Sequence, residues 1–223
     1  MIIGLVLLGL VAVLLLFGVA EHVFKSFGVS YWLALVIVGV LIGSAFIPTF
    51  TVGAVTINVA GFFAPLLFAA VLMSLAVKMR DGWRAVVTST VIMALYISVW
   101  LLIAPITFTT VTVIVIGFLC GAVGYLVGKT KIAALSGIFL GMPIGESVAS
   151  GVDMYAYGSP IRFGSVATFD AIILAAVTAV VIFESIAAIK RTMNRRKRIN
   201  SAALNAETAE EFDPDEYKKY FDE

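Results

Sequence analysis

Acidic residues are scarce through most of this chain. Of its fourteen Asp and Glu, eight (Glu207, Glu210, Glu211, Asp213, Asp215, Glu216, Asp222 and Glu223) fall in the last seventeen residues, which leaves six for positions 1–206. Charged residues of both signs make up 13% of the 223 residues, about half the share found in soluble domains. Such a chain cannot cover a water-facing surface, and a soluble enzyme is excluded. A single cysteine, Cys120, inside an apolar run excludes a disulfide framework and a cysteine-ligated metal. A single histidine, His22, with so few acids argues against a transition-metal centre, and no metal or other cofactor is expected. No Ser/His/Asp set, GxGxxG or GxxxxGK[ST] is present. A net charge of +1 gives no argument for a nucleic-acid partner, and none is expected.

What is abundant is apolar sequence: 61% of residues are hydrophobic and the mean hydropathy is +1.09. The apolar runs recur at about 17 to 25 residues, the length that crosses a bilayer core. They cover Ile2 to Ala20, then 31–47, 61–78, 84–105, 111–128, 132–150 and 167–189. The first lacks a basic leader and a small-residue cleavage site before a polar domain, so it reads as a retained span. The expectation is an all-α membrane protein of the cell (plasma) membrane with seven transmembrane helices and the lipid bilayer as its main partner. The transmembrane domain is 1–189, and 190–223 is a cytoplasmic tail, first basic and then acidic.

Orientation follows from the cations. With the N-terminus outside and the C-terminus cytoplasmic, twelve cations from Lys25 to Arg198 lie inside and Arg162 alone lies outside. Segment 132–150 must then cross, although Gly141, Pro143 and Gly145 are expected to break or kink it and free backbone carbonyls. The connections before spans three and seven, TFTVGAVTINV (49–59) and DMYAYGSPIRFGSV (153–166), each read as a short external β-hairpin.

The chain also resembles itself. GVLIGS (39–44) aligns with GMPIGE (141–146), and NVAGFFAPLL (58–67) with SVATFDAIIL (165–174). The implied plan is a 3+1+3 parallel repeat, with halves of about 1–80 and 111–189 joined by a linker span at 84–105.

Ionisable groups inside spans are costly, and each is a functional candidate. Glu146 and Asp170 both fall toward the outer side, and they open the prospect of one shared site. Asn58, Ser147, Asp153 and Arg162 complete the candidate set for binding a small solute, a cation or a proton, with Arg162 as gate or counter-ion. Two plainer readings stand beside this one: Asp170 as a first-turn acid at a helix N-terminus capped by Thr168, and Glu146 as the ion-pair partner of Arg162. The tail from Ser201 is either solvated or a docking segment for a cytoplasmic protein or a second protomer.

Three stretches, Asn58-Val-Ala-Gly-Phe-Phe-Ala-Pro65, Gly141-Met-Pro-Ile-Gly-Glu-Ser147 and Ala167-Thr-Phe-Asp170-Ala-Ile-Ile-Leu174, resemble elements of the prokaryotic membrane family known as domain of unknown function 1614. The resemblance covers about residues 50–185 and implies that Asn58 and Asp170 are family features. The chain departs from the family in having Ser147 where the second element carries aspartate, and Ala at 60, 167 and 171 where it carries Gly. Ala167-Thr-Phe-Asp170 is also similar to the GxGD element of intramembrane aspartyl proteases. That likeness implies Asp170 and Glu146 as a catalytic carboxylate pair, although Ala167 and Phe169 replace both glycines. Three functions are therefore open: a permease or channel with an outward-facing carboxylate site, an intramembrane protease, and a non-catalytic assembly subunit acting through its tail.

Overall fold

A computed structural model of the chain describes residues 2–18, 29–103 and 110–210. The expectations for Glu21, His22, Lys25 and the end of the acidic tail lie outside these residues. Two units are distinguished, residues 1–182 and 183–223. The described part of the second is helical to Glu210 and carries the cations from Lys190 to Arg198.

Seven α-helices are present among the described residues: α1 (Ile2–Leu16), α2 (Tyr31–Ser44), α3 (Ala64–Lys78), α4 (Gly82–Ile103), α5 (Thr110–Gly128), α6 (Lys131–Tyr157) and α7 (Val166–Glu210). A single turn of π-helix, Val59–Phe63, precedes α3. Among the described residues, five stretches are long and apolar enough to cross a membrane: 59–78, 82–102, 110–128, 131–157 and 166–197. The described parts of α1 and α2 are shorter apolar helices.

Helix α6 is the core. Of its apolar window 78% is buried, against 22% for α7, because α3, α4 and α5 all pack on it. Its sequence explains this. Gly137, Gly141 and Gly145 recur every four residues and form a smooth stripe on one helix face, the arrangement that lets membrane helices approach closely. A Cβ on Gly137 would lie 2.5 Å from Thr88 Cγ2, and one on Gly141 2.6 Å from the Ser89 carbonyl oxygen. At Gly145 it would lie 3.1 Å from Tyr96 Cβ. The complementary ridge of α4, Thr88, Ile92 and Tyr96, is itself fully buried. Gly117 and Gly121 of α5 play the same part against Leu174, Ala175 and Thr178 of α7.

Of the break or kink expected at Gly141, Pro143 and Gly145, the break does not occur: α6 is helical through all three, with Pro143 inside it. The glycines serve helix packing, and the Pro143 carbonyl accepts a hydrogen bond from the Ser147 hydroxyl at 2.9 Å. The helix also continues seven residues past 150 and ends at Gly158, whose φ of 67° forms a left-handed cap.

That extension removes one of the two expected hairpins. The first is present: β1 (Phe50–Val52) pairs antiparallel with β2 (Val55–Ile57). Gly53 takes the first of the two loop positions, at φ 60°, as a II′ turn requires. The second connection holds one strand, β3 (Ile161–Phe163), which pairs parallel with β2. The run Asp153–Tyr157, expected as a strand, contains Met and Ala and stays helical. β3 then finds its partner in the open edge of the first hairpin.

The three strands gather several helix ends. α2 ends just before β1, the π-turn and α3 follow β2, and β3 lies between the end of α6 and the start of α7. The start of α1 joins the same end, since the Gly4 amide donates to Asp170 in the first turns of α7 at 2.9 Å. The two proposed halves differ in their packing: a Cβ on Gly39 or Gly43 would meet nothing within 4 Å, whereas Gly141 and Gly145 are in tight contact.

Candidate functional site

The buried polar residues of α6 lie on the face away from most of its glycines. Ser136, Glu146, Ser150 and Asp153 are all nearly inaccessible, with Glu146 at 1% exposure. Counting about 1.5 Å per residue, Glu146 stands about 22 Å from Lys131 and about 16 Å from Tyr157, so it sits near the helix midpoint.

Glu146 is placed by α7 as much as by α6. Ser165 is the N-cap of α7, its hydroxyl accepting the Thr168 amide at 3.1 Å, so the cap is Ser165 and not Thr168. Satisfying that amide turns both hydroxyls to the same side, where Ser165 donates to Thr168 at 3.1 Å. The hydroxyls of Ser165 and Thr168 and the Ser165 amide lie within hydrogen-bonding reach of the Glu146 carboxyl. The Tyr96 hydroxyl of α4 meets Thr168 Oγ1 at 2.9 Å. One carboxyl oxygen, Oε2, is buried with no hydrogen-bond partner.

Above this cluster lies a second one. Asp153 Oδ2 accepts from Trp100 Nε1 at 2.9 Å and lies 3.6 Å from Arg162 Nη2. The Arg162 guanidinium stands 4.9 Å over the Trp100 ring, and that ring stacks on Tyr96 at 6.4 Å. The backbone of Arg162 is fixed by Ser150, whose hydroxyl bonds both its amide and its carbonyl at 3.0 Å. An aromatic-backed ion pair therefore stands between Glu146 and the end of the molecule where the three strands lie. The Arg162 cation is thus engaged by Asp153, and Glu146 is not its ion-pair partner.

Asp170 is directed elsewhere. At about 100° per residue, positions 168 and 170 of a helix face nearly opposite ways. Thr168 turns to Tyr96, and Asp170 turns to α1, where Oδ1 accepts the Gly4 amide. A Cβ on Gly4 would lie 2.7 Å from that oxygen. Asp170 therefore serves an α1 N-terminal amide. Glu146 and Asp170 engage different faces of α7.

Asn58 is buried and occupied at both ends of its amide: Oδ1 accepts from Gly61 at 2.8 Å and Nδ2 donates to Thr49 at 2.9 Å. Its own backbone amide continues the sheet by donating to Phe163 at 2.9 Å. It holds the π-turn, in which Gly61 leaves room for the Ser165 backbone 2.5 Å from where a Cβ would stand. Ser147 is satisfied within its own helix.

The sequence reading missed Tyr96, Trp100, Ser150, Ser165 and Thr168 as site residues. The signal for Ser150 was its place four residues beyond Glu146, the spacing of one helical face. For Tyr96 and Trp100 nothing local marked them, because aromatic residues are ordinary in a span. Among the described residues, no three His, Cys, Asp or Glu side chains gather as a metal site.

No curated protein and no solved structure matches the chain. The sequence does match a family description across 198 residues, from 6 to 203, a stretch containing α2 to α6, the three strands and every residue of the Glu146 cluster. An integral membrane family agrees with the five apolar spans, and the chain belongs to the YphA-like integral membrane protein family.

Proposed function

We propose that this integral membrane protein is a small-solute or ion permease in which Glu146 is the group that takes up and releases a proton or small cation. The observation carrying this reading is the buried Oε2 of Glu146, without a hydrogen-bond partner near the midpoint of the most enclosed helix. A carboxyl in such a place is costly, and hydroxyls from a neighbouring helix lie ready beside it. The seven-span topology, with the N-terminus outside, is part of the proposal. It is supported by the starts of α1 and α7 meeting at the Gly4 to Asp170 bond. The cations Lys78, Arg80, Arg84, Lys129 and Lys131 fall at the opposite helix ends.

In that orientation the Asp153, Arg162 and Trp100 cluster closes the outer approach to Glu146, and opening it would expose the carboxyl to the outside. The parallel pairing of β2 with β3 supports a duplicated plan in which two strands each lead into a span. The resemblance to domain of unknown function 1614 remains an expectation drawn from the three short elements. A protease needs two carboxylates in hydrogen-bond distance, and the different faces taken by Glu146 and Asp170 favour the permease.

The test is flux. Full-length protein is reconstituted into liposomes holding a pH-sensitive dye, and a pH gradient is applied with sodium or potassium on either side. Wild-type vesicles should dissipate the gradient, and Glu146→Gln, which keeps the size and an acceptor oxygen, should abolish the flux. Equal rates in the two, including equal absence of flux, would overturn the proposal.

A further inference from the structure

Two buried side-chain polar atoms among the described residues have no hydrogen-bond partner, Ser136 Oγ and Glu146 Oε2, and both belong to α6. Their positions are related. Ser136, Pro143 and Ser150 form one row seven residues apart, and Phe139, Glu146 and Asp153 form a second, offset by three. Rows with that spacing share one face of a helix. The buried polar side chains of α6 thus lie along a single stripe.

The stripe has an occupied half and an open half. At its outer end Ser150 is bonded to Arg162, and Asp153 to Trp100. From Glu146 inward the polar groups are the unpartnered Oε2, the Phe139 carbonyl, to which Pro143 offers no amide, and the unpartnered Ser136 hydroxyl. Ser136 is fully buried and Phe139 almost so. The Phe139 ring is met edge-on by Phe68 of α3 at 4.6 Å, so this half of the stripe turns toward α3.

We infer that the inner half of this stripe, from Ser136 to Glu146, holds a short file of internal water that carries protons between Glu146 and the inner end of α6. Buried polar atoms are satisfied by protein or by ordered water, and water bonded to Ser136 and to the Phe139 carbonyl would supply both unpartnered atoms. The spacing argues for protons over a metal cation: Ser136 and Glu146 are ten residues apart, about 15 Å along the axis. Among the described residues, no three His, Cys, Asp or Glu side chains gather at either place. The inference rests on the permease reading and adds to it the substrate class and the inward route.

Internal water can be detected without flux. In hydroxyl-radical footprinting of the full chain in liposomes, buried side chains are labelled where ordered water touches them. Phe139 and Met142, at 3% and 0% exposure, should be labelled in the wild type. In Ser136→Ala that labelling should fall, and inward proton flux should drop about tenfold, the weight of one lost hydroxyl-to-water hydrogen bond. Exposed Met154 should be labelled equally in both. Ser136→Thr, which keeps the hydroxyl, should restore both signals. Absence of label on Phe139 and Met142 in the wild type overturns the water file, as does label unchanged by Ser136→Ala. If Glu146→Gln blocks flux while these labels fail, only this inference falls; if Glu146→Gln leaves flux intact, the permease reading falls whatever the labels show.

Discussion

Replacing Gly141 with Ala adds one methyl group to α6, and the structure says what that methyl meets. It would stand 2.6 Å from the Ser89 carbonyl oxygen and 3.2 Å from two carbons of Ile92. The first neighbour is backbone inside α4 and cannot rotate away, so α4 and α6 must separate by the better part of an ångström. Separation also loosens the contacts at Gly137 and Gly145, because all three glycines face one rigid helix. Overpacking of this kind costs about 1–3 kcal/mol, and a backbone obstacle argues for the upper end, about 2–3 kcal/mol. The control is Gly151→Ala in the same helix, where a Cβ meets nothing within 4 Å. There the better helix propensity of Ala should leave stability unchanged or raise it by about 0.4–1 kcal/mol. Equilibrium unfolding in mixed detergent micelles, followed by far-UV circular dichroism, would measure both. Equal effects at 141 and 151 would refute the close α4–α6 contact as the basis of the core.

Other perturbations test other parts of the molecule. Trp100→Phe keeps the ring but deletes the indole donor to Asp153; it should destabilise by about 1–3 kcal/mol in the same assay, and no loss would show that the Asp153 cluster is not formed. Asn58→Ala removes the cap of the π-turn and strands the Gly61 amide, a cost of about 1–2 kcal/mol; a neutral result would contradict that capping role. Gly53→Ala and Gly164→Ala both place a side chain at positive φ. Only the second also meets backbone, at 2.6 Å from Gly61 and Phe62, so it should be clearly the worse of the two by thermal unfolding in detergent.

The spans were legible because apolar length is a local property: α3, α4 and α5 begin and end within about three residues of where hydropathy changes. The hairpin of β1 and β2 was legible for the same reason, through its central glycine and β-branched flanks. Asp153–Tyr157 was misjudged because its strand or helix state depended on where α6 stopped, and the stop was set by Gly158. Gly141, Pro143 and Gly145 look alike whether they break a helix or pack one. Only the presence of α4 at 2.6 Å distinguishes the two uses.

Composition alone determined that this chain lives in a membrane, since a sequence with six acids in its first 206 residues has no other solvent to fold in. It also determined which few side chains would be costly there, Glu146 and Asp170 among them. Their roles were decided by tertiary structure. Thr168 and Asp170 are two positions apart, and the roughly 200° of helix rotation between them sends one hydroxyl to Tyr96 and one carboxylate to Gly4. Partners of this kind come from segments 72 and 166 residues away, a separation at which local pattern carries no information.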